Sequence, residues 1–210
     1  MSTETPRLSI LIPSIPSRIE RFLLPLLKRL ETQADGKSVE ILTFIDNKKR
    51  SVGLKRDSLV QIARGDYLAF VDDDDEVTDD YVASIVEAIN TVDGVDVVTF
   101  KQWVTINDGN QFTVDFSIQN QNEEAKVIEG VWQDIKRQPF HICVWRSELA
   151  KKHRFTDASY GEDWHWAKRV IEDVGSEAKI DKHLHYYRYS DAVTEAALDF
   201  AKEENVFTKQ

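Results

Sequence analysis

The sequence predicts an α/β fold: a Rossmann-like, mostly parallel central sheet flanked by helices, followed by a smaller β/α part. Three observations predict it. Short apolar, β-branched runs alternate with segments of helical period over the first hundred residues. The third of those runs ends directly in four aspartates, and beyond residue 100 the pattern changes to period-two alternation around a turn. A chain of 210 residues with 41% hydrophobic and 30% charged residues buries one sizeable core. Residues 1–210 are therefore read as a single domain with two halves, about 1–100 and about 101–210.

Leu8 to Ile12 reads as a buried strand closed by Pro13, Ser14 and Pro16. Arg18 to Thr32 repeats apolar residues at Phe22, Leu23, Leu26, Leu27 and Leu30, a helix that Pro25 should kink or start late. Val39 to Ile45 is a second strand, Ser58 to Ala63 looks helical, and Asp66 to Val71 is a third strand. Thr78 or Asp79 can cap a helix whose core face is Val82, Ile85, Val86 and Ile89, and Val95 to Phe100 forms the next strand. Asn107-Asp-Gly-Asn110 between Gln102–Ile106 and Gln111–Phe116 signals a hairpin. Gln119 to Lys126 is a polar loop. A strand at His141–Trp145, a helix at Glu162–Val174, a strand near His185–Tyr189 and a charged C-terminal helix complete the reading.

Composition narrows the function. With 27 basic against 37 acidic residues the net charge is −10, the wrong sign for neutralising nucleic-acid phosphates. A single cysteine, Cys143, forms no internal disulfide and suits a reducing cytoplasm. No apolar run approaches the roughly 20 residues of a membrane span, and Met1–Arg7 lacks the charged start of a signal peptide. A cytoplasmic location is the expectation.

Asp72, Asp73, Asp74 and Asp75 follow the strand Tyr67-Leu-Ala-Phe-Val71, at the sheet edge where open α/β folds bind ligands. Four adjacent carboxylates repel one another, and a hard cation such as Mn²⁺ or Mg²⁺ relieves that repulsion. A solvated acidic loop is the plain alternative. An EF-hand is excluded because Val77 and Ala83 stand where its glycine and bidentate glutamate belong, and no glycine-rich P-loop exists.

Leu8-Ser-Ile-Leu-Ile-Pro13, Ile45-Asp46, Gly53-Leu-Lys-Arg56-Asp57, Ala63-Arg-Gly-Asp-Tyr-Leu-Ala-Phe-Val-Asp-Asp-Asp-Asp75 and Gly161-Glu-Asp-Trp164 together resemble the inverting family 2 glycosyltransferases, in order and spacing from Leu8 to about Ser190. The resemblance implies the GT-A fold, with a nucleotide-sugar-binding first half and an acceptor-binding second half. It also implies Mn²⁺ or Mg²⁺ and a nucleotide-sugar donor. Asp46 matches the acidic residue that reads the base, with Pro13 and Ser14 lining its pocket; an aspartate accepts from a uracil N–H, which points to a UDP-sugar. A turn role is the structural alternative for Asp46. Arg56 matches the arginine of the family's Ala-Arg-Asn segment, although Lys55-Arg56-Asp57 departs from it. Asp72 and Asp74 match the Asp-x-Asp pair on ribose and metal, roles that Asp73 and Asp75 can share.

Glu162 and Asp163 match the Glu-Asp motif that supplies the catalytic base; helix capping is the alternative for both. His183 and His185 alternate along a strand toward one face, and the resemblance implies a metal or diphosphate role for one of them, a plain hydrogen-bonded histidine being the alternative; Arg188 on the same strand suits steadying the diphosphate. Trp164 beside the base suits stacking on a sugar face. The implied chemistry is direct displacement at the anomeric carbon. Asp163 removes the proton of an acceptor hydroxyl, on a glycan or other acceptor, while the metal stabilises the departing nucleoside diphosphate. A sugar nucleotidyltransferase shares the fold and metal but carries a glycine-rich loop where Pro13-Ser-Ile-Pro16 stands. A non-catalytic sugar-nucleotide or carbohydrate-binding module has no need of Asp163.

Overall fold

The computed structural model describes residues 5–92 and 94–191. The expected C-terminal helix lies outside them. The chain opens with β1 (Leu8–Ser14), fully buried along its length. A 3₁₀ turn (Pro16–Arg18) and a π turn (Ile19–Leu23) lead into α1 (Leu24–Ala34). Pro25 sits in the first turn of α1, so the late start holds. A proline has no N–H to give a preceding carbonyl, and the wider π turn absorbs that gap. After β2 (Val39–Ile45) comes α2 (Val52–Ile62), which begins earlier than its apolar pattern suggests. Ser51 caps it, accepting from the Leu54 N–H at 3.2 Å.

β3 (Tyr67–Phe70) is followed by the two-residue β4 (Glu76–Val77) and by α3 (Tyr81–Thr91). Asp80, rather than Thr78 or Asp79, stands at the cap of α3; the Thr78 hydroxyl instead donates to the Asp80 carboxylate at 2.8 Å. β5 (Val97–Ile106) and β6 (Phe112–Phe116) form the expected hairpin. Asn107 and Asp108 have φ of 48° and 59°, the left-handed pair that a type I′ turn requires. A small hairpin of β7 (Val127–Ile128) and β8 (Val131–Trp132) precedes β9 (Ile135–Arg137) and β10 (Val144–Arg146). His141 therefore falls in the turn before β10, outside the strand expected there. The chain ends its described part with α4 (Ser147–Ala150), α5 (Glu162–Val170) with a 3₁₀ extension to Asp173, and β11 (Glu177–Tyr189).

One sheet runs through both halves in the order β2-β1-β3-β10-β5-β11-β4, with β6 and β9 continuing from β5. β2, β1 and β3 are parallel, as are the long partners β5 and β11, whereas β10 runs against both of its neighbours. Insertion of β10 between β3 and β5 is the step that makes the fold. It carries residues 140–146 from the second half to the centre of the first, beside the C-terminal end of β3. The core under this sheet packs Trp145 and Trp166 edge to face, with centroids 5.5 Å apart, and stacks Phe155 on Trp166 at 4.7 Å.

Candidate active site

The C-terminal ends of β1 and β3, the N-terminal turns of α2 and α5, and the turn before β10 converge on a cavity of about 990 Å³. Pro13, Ser14, Arg56, all four aspartates of the run, Glu162 and Asp163 line it. Helix α2 supplies an unusual face, since Lys55, Arg56 and Asp57 are consecutive, charged and buried. Each has an opposite charge from a distant segment, the condition under which buried charge is tolerated. Lys55 Nζ lies 3.0 Å from Asp46, Asp57 accepts a forked pair from Arg154, and Arg56 stands between two carboxylates. Arg56 Nη2 is 2.8 Å from Asp72 Oδ1 and Nε is 3.2 Å from Glu162 Oε1.

Glycine brings α2 this close. Gly53 donates its N–H to the Ala158 carbonyl at 2.9 Å, and a Cβ there would stand 2.0 Å from the Thr156 carbonyl oxygen. Only a residue without a side chain lets α2 lie against the loop that leads into α5. Gly161, with φ of 72°, then turns that loop into the helix, so that Glu162 and Asp163 occupy its first turn.

The aspartates divide into different environments. Burial pushes Asp72 upward, but the Arg56 charge, assisted by His141, overrides it and holds Asp72 far below the usual carboxylate range. Asp73 accepts from the Ser14 hydroxyl at 2.5 Å and lies 3.1 Å from Arg18 Nε. Burial nonetheless raises it to about 6. Asp74 pairs with Arg18 and is also raised, by burial above all. Asp75 is buried under the run, where desolvation and then the charges of Asp72 and Asp74 drive it well above the carboxylate range. Its Oδ2 lies 3.3 Å from His185 Nε2, while Nδ1 of that ring is 3.1 Å from Gln102 Nε2. Burial lowers His185 to about 3, which keeps it neutral.

Glu162 and Asp163 are adjacent but not equivalent. Glu162 is buried, raised by desolvation and held by Arg56. Asp163 faces the cavity; its Oδ1 accepts from the Trp164 N–H at 2.6 Å, and Oδ2 is 3.4 Å from His141 Nδ1. The other nitrogen of His141 lies 3.8 Å from Asp72 Oδ2, so this buried imidazole spans the first carboxylate of the run and Asp163. The sequence reading took His141 only as the first residue of a core strand, because its neighbours are apolar, and gave it no site role. Arg18, Lys55 and Tyr187 also line the cavity without having been singled out as site residues.

Four expected residues lie outside the cavity lining. Asp46 is bound to Lys55 and accepts from the Arg50 N–H at 3.0 Å, behind these two lining residues. Arg188 is exposed and pairs with Glu76 at 3.0 Å; Tyr187, the preceding residue, faces the cavity instead. His183 and His185 do not share a face. The β11 ladder is irregular between them, and they pair with the consecutive residues Lys101 and Gln102, whose side chains point to opposite sides. His183 stacks on Trp103 with centroids 4.2 Å apart and lies 3.0 Å from the Thr113 hydroxyl.

Among the described residues, no three histidine, cysteine, aspartate or glutamate side chains are gathered into a ready-made metal shell. The donor chemistry still fits one kind of dication. Mg²⁺ and its relatives commonly use one or two carboxylates and take their remaining oxygens from phosphates and water. Carboxylates raised by burial and by one another's charge carry negative potential that such an ion would relieve.

A cavity at the carboxyl ends of parallel strands, walled by aspartates, is the ligand-binding edge of an open α/β domain. The glycosyl transferase family 2 profile matches residues 28–135, just over half of the chain, and the chain belongs to that family. No curated protein matches it in sequence. Among solved structures, S. aureus TarS 1-349 in complex with UDP-GlcNAc is 12% identical, with a TM-score of 0.59 over 88% of this chain and 59% of that one. TarS 1-349 in complex with UDP is 13% identical, with a TM-score of 0.58 over 88% and 61%. The longer S. aureus TarS structure is 13% identical, with a TM-score of 0.58 over 88% and 37%. These likenesses establish the GT-A fold, and the chain spans less than two thirds of each of those proteins. No helix among the described residues is long and apolar enough to cross a membrane.

Proposed function

We propose that the chain is a metal-dependent, inverting glycosyltransferase that moves a sugar from a nucleotide-sugar donor, a UDP-sugar, to a hydroxyl of a glycan acceptor. The observation that carries this reading is the shared cavity: Asp163 and Asp72 face the same space with His141 between them. An inverting enzyme needs one carboxylate to take a proton on the acceptor side and a separate positive site for the leaving diphosphate, with no nucleophile of its own. Asp163 has a free face toward the cavity and serves as the base. Glu162, buried and bound to Arg56, serves to position it.

Asp72 and Asp74 would hold the cation, which when bound neutralises charge on the departing diphosphate. Arg18, Lys48, Lys49 and Arg50 line the same cavity and add positive charge around the diphosphate. The TarS structures carry UDP-GlcNAc and UDP in a chain of the same fold, which supports a uridine nucleotide here. Asp46 acts on the base pocket through Lys55, whose Nζ also donates to the Ser14 carbonyl at 3.1 Å.

The test is a screen of nucleotide sugars with Mn²⁺, scored by nucleoside diphosphate release with and without saccharide acceptors. Release that rises with an acceptor and stops in chelator supports the reading. A screen in which no donor is consumed sinks it.

A further inference from the structure

A second cavity, of about 220 Å³, opens beside the first, and the two share Phe140 and Trp164 as walls. Its remaining lining includes Asn122, Gln138, Pro139 and Lys168. Trp164 is 39% exposed, although it directly follows Asp163 and its ring lies only 6.3 Å from Phe140. A large indole left half open at the mouth of a reaction cavity presents an apolar face with a polar N–H at its edge. Two amides line the same cavity. Asn122 donates to the Gln138 side-chain oxygen at 3.0 Å and accepts the Gln138 backbone N–H at 3.0 Å. That pairing fixes the Gln138 amide and leaves its Nε2 hydrogens without a partner among the described residues.

A pyranose ring has the complementary surface: one apolar face of axial C–H groups and a rim of hydroxyls. An aromatic platform in one cavity with fixed amide groups matches it, whereas an aliphatic chain has nothing to offer the amides. We infer that the second cavity is a subsite for the sugar unit next to the one that carries the attacking hydroxyl, so that the acceptor is a glycan of at least two residues. The inference rests on the glycosyl-transfer reading for the identity of the first unit. The position supports it: Trp164 follows the residue proposed to take the proton, so a sugar held on the indole places its neighbour at Asp163.

The test is direct binding, read from the Trp164 indole N–H in ¹⁵N spectra and assigned with Trp164→Phe. The chain is titrated with glucose and cellobiose, N-acetylglucosamine and chitobiose, and galactose and β1,4-galactobiose. At least one disaccharide is expected to shift the Trp164 signal with about tenfold tighter binding than its own monosaccharide, the scale of one stacking contact with one hydrogen bond. Gln138→Ala, which does not line the first cavity, is expected to remove most of that advantage. Equal affinities for every matched pair, no shift from any saccharide, or an unchanged advantage in Gln138→Ala would overturn the subsite. Calorimetry with UDP and Mn²⁺ on the same samples reports on the donor reading separately, since saccharide binding at Trp164 does not require UDP.

Discussion

Arg56 Nε donates to Glu162 Oε1 at 3.2 Å, joining a helix of the first half to a helix that begins 106 residues later. The same guanidinium reaches Asp72 with Nη2, so one buried cation holds the carboxylate after β3 and the acidic turn of α5 in register. Removing it leaves the buried Glu162 without a cation and the half-buried Asp72 with only His141 beside it. Arg56→Ala is expected to lose roughly 3–5 kcal/mol of unfolding free energy in urea, the usual cost of breaking a buried pair from one side. Arg56→Lys keeps the charge but not the fork and should fall between. An Arg56→Ala protein as stable as the parent would show that the pairing contributes nothing.

Stability should depend on pH through Asp73. Its folded-state value of about 6 lies above the ordinary carboxylate value near 4, so between these pH values the folded chain binds more protons than the unfolded one. That contribution is present below about pH 4 and is lost as pH rises through 6. Asp73→Asn, which can still accept from Ser14, is expected to gain relative to the parent by up to roughly 3 kcal/mol above pH 6.5 and to gain little at pH 4. Denaturation curves at the two pH values, in chelator, measure the difference. A gain independent of pH would contradict the assignment.

Metal linkage is the third expectation. UDP binding measured by calorimetry should weaken at least about tenfold when Mn²⁺ is replaced by chelator, because the aspartate run otherwise repels the diphosphate. Asp74→Asn should lose most of that enhancement, and Asp73→Asn less. Equal affinity with and without the ion would remove the cation from the proposed mechanism.

Asp163→Asn is expected to keep UDP and Mn²⁺ affinity within about twofold while slowing transfer to acceptor by roughly 10²–10⁴, the range for a lost general base. Glu162→Gln provides the contrast. Buried against Arg56, it should show its main effect in thermal stability and a smaller one in turnover. If Glu162→Gln stops transfer and Asp163→Asn does not, the base is the other residue of the pair.

The sequence by itself determined the elements whose causes are local. Short apolar runs located β1, β2 and β3, and helical spacing located α3; Asn107 and Asp108 located the hairpin turn; and the aspartates at the end of β3 marked the ligand edge. Those features follow from backbone preferences and burial of one face, which neighbouring residues alone dictate. Tertiary structure decided what depends on partners far along the chain. The start of α2 was hidden because Lys55, Arg56 and Asp57 interrupt the apolar spacing, and they are buried only because Asp46, Asp72, Glu162 and Arg154 arrive to pair with them. His141 reached the cavity through the insertion of β10 between β3 and β5, a pairing that carries no local pattern. The separation of His183 from His185 came from an irregularity in β11, visible only in its ladder with β5, which reversed the alternation that spacing predicts. Periodicity reports which face of an element is apolar, whereas a charge 100 residues away decides whether a polar side chain can be buried, and that information exists only in the folded chain.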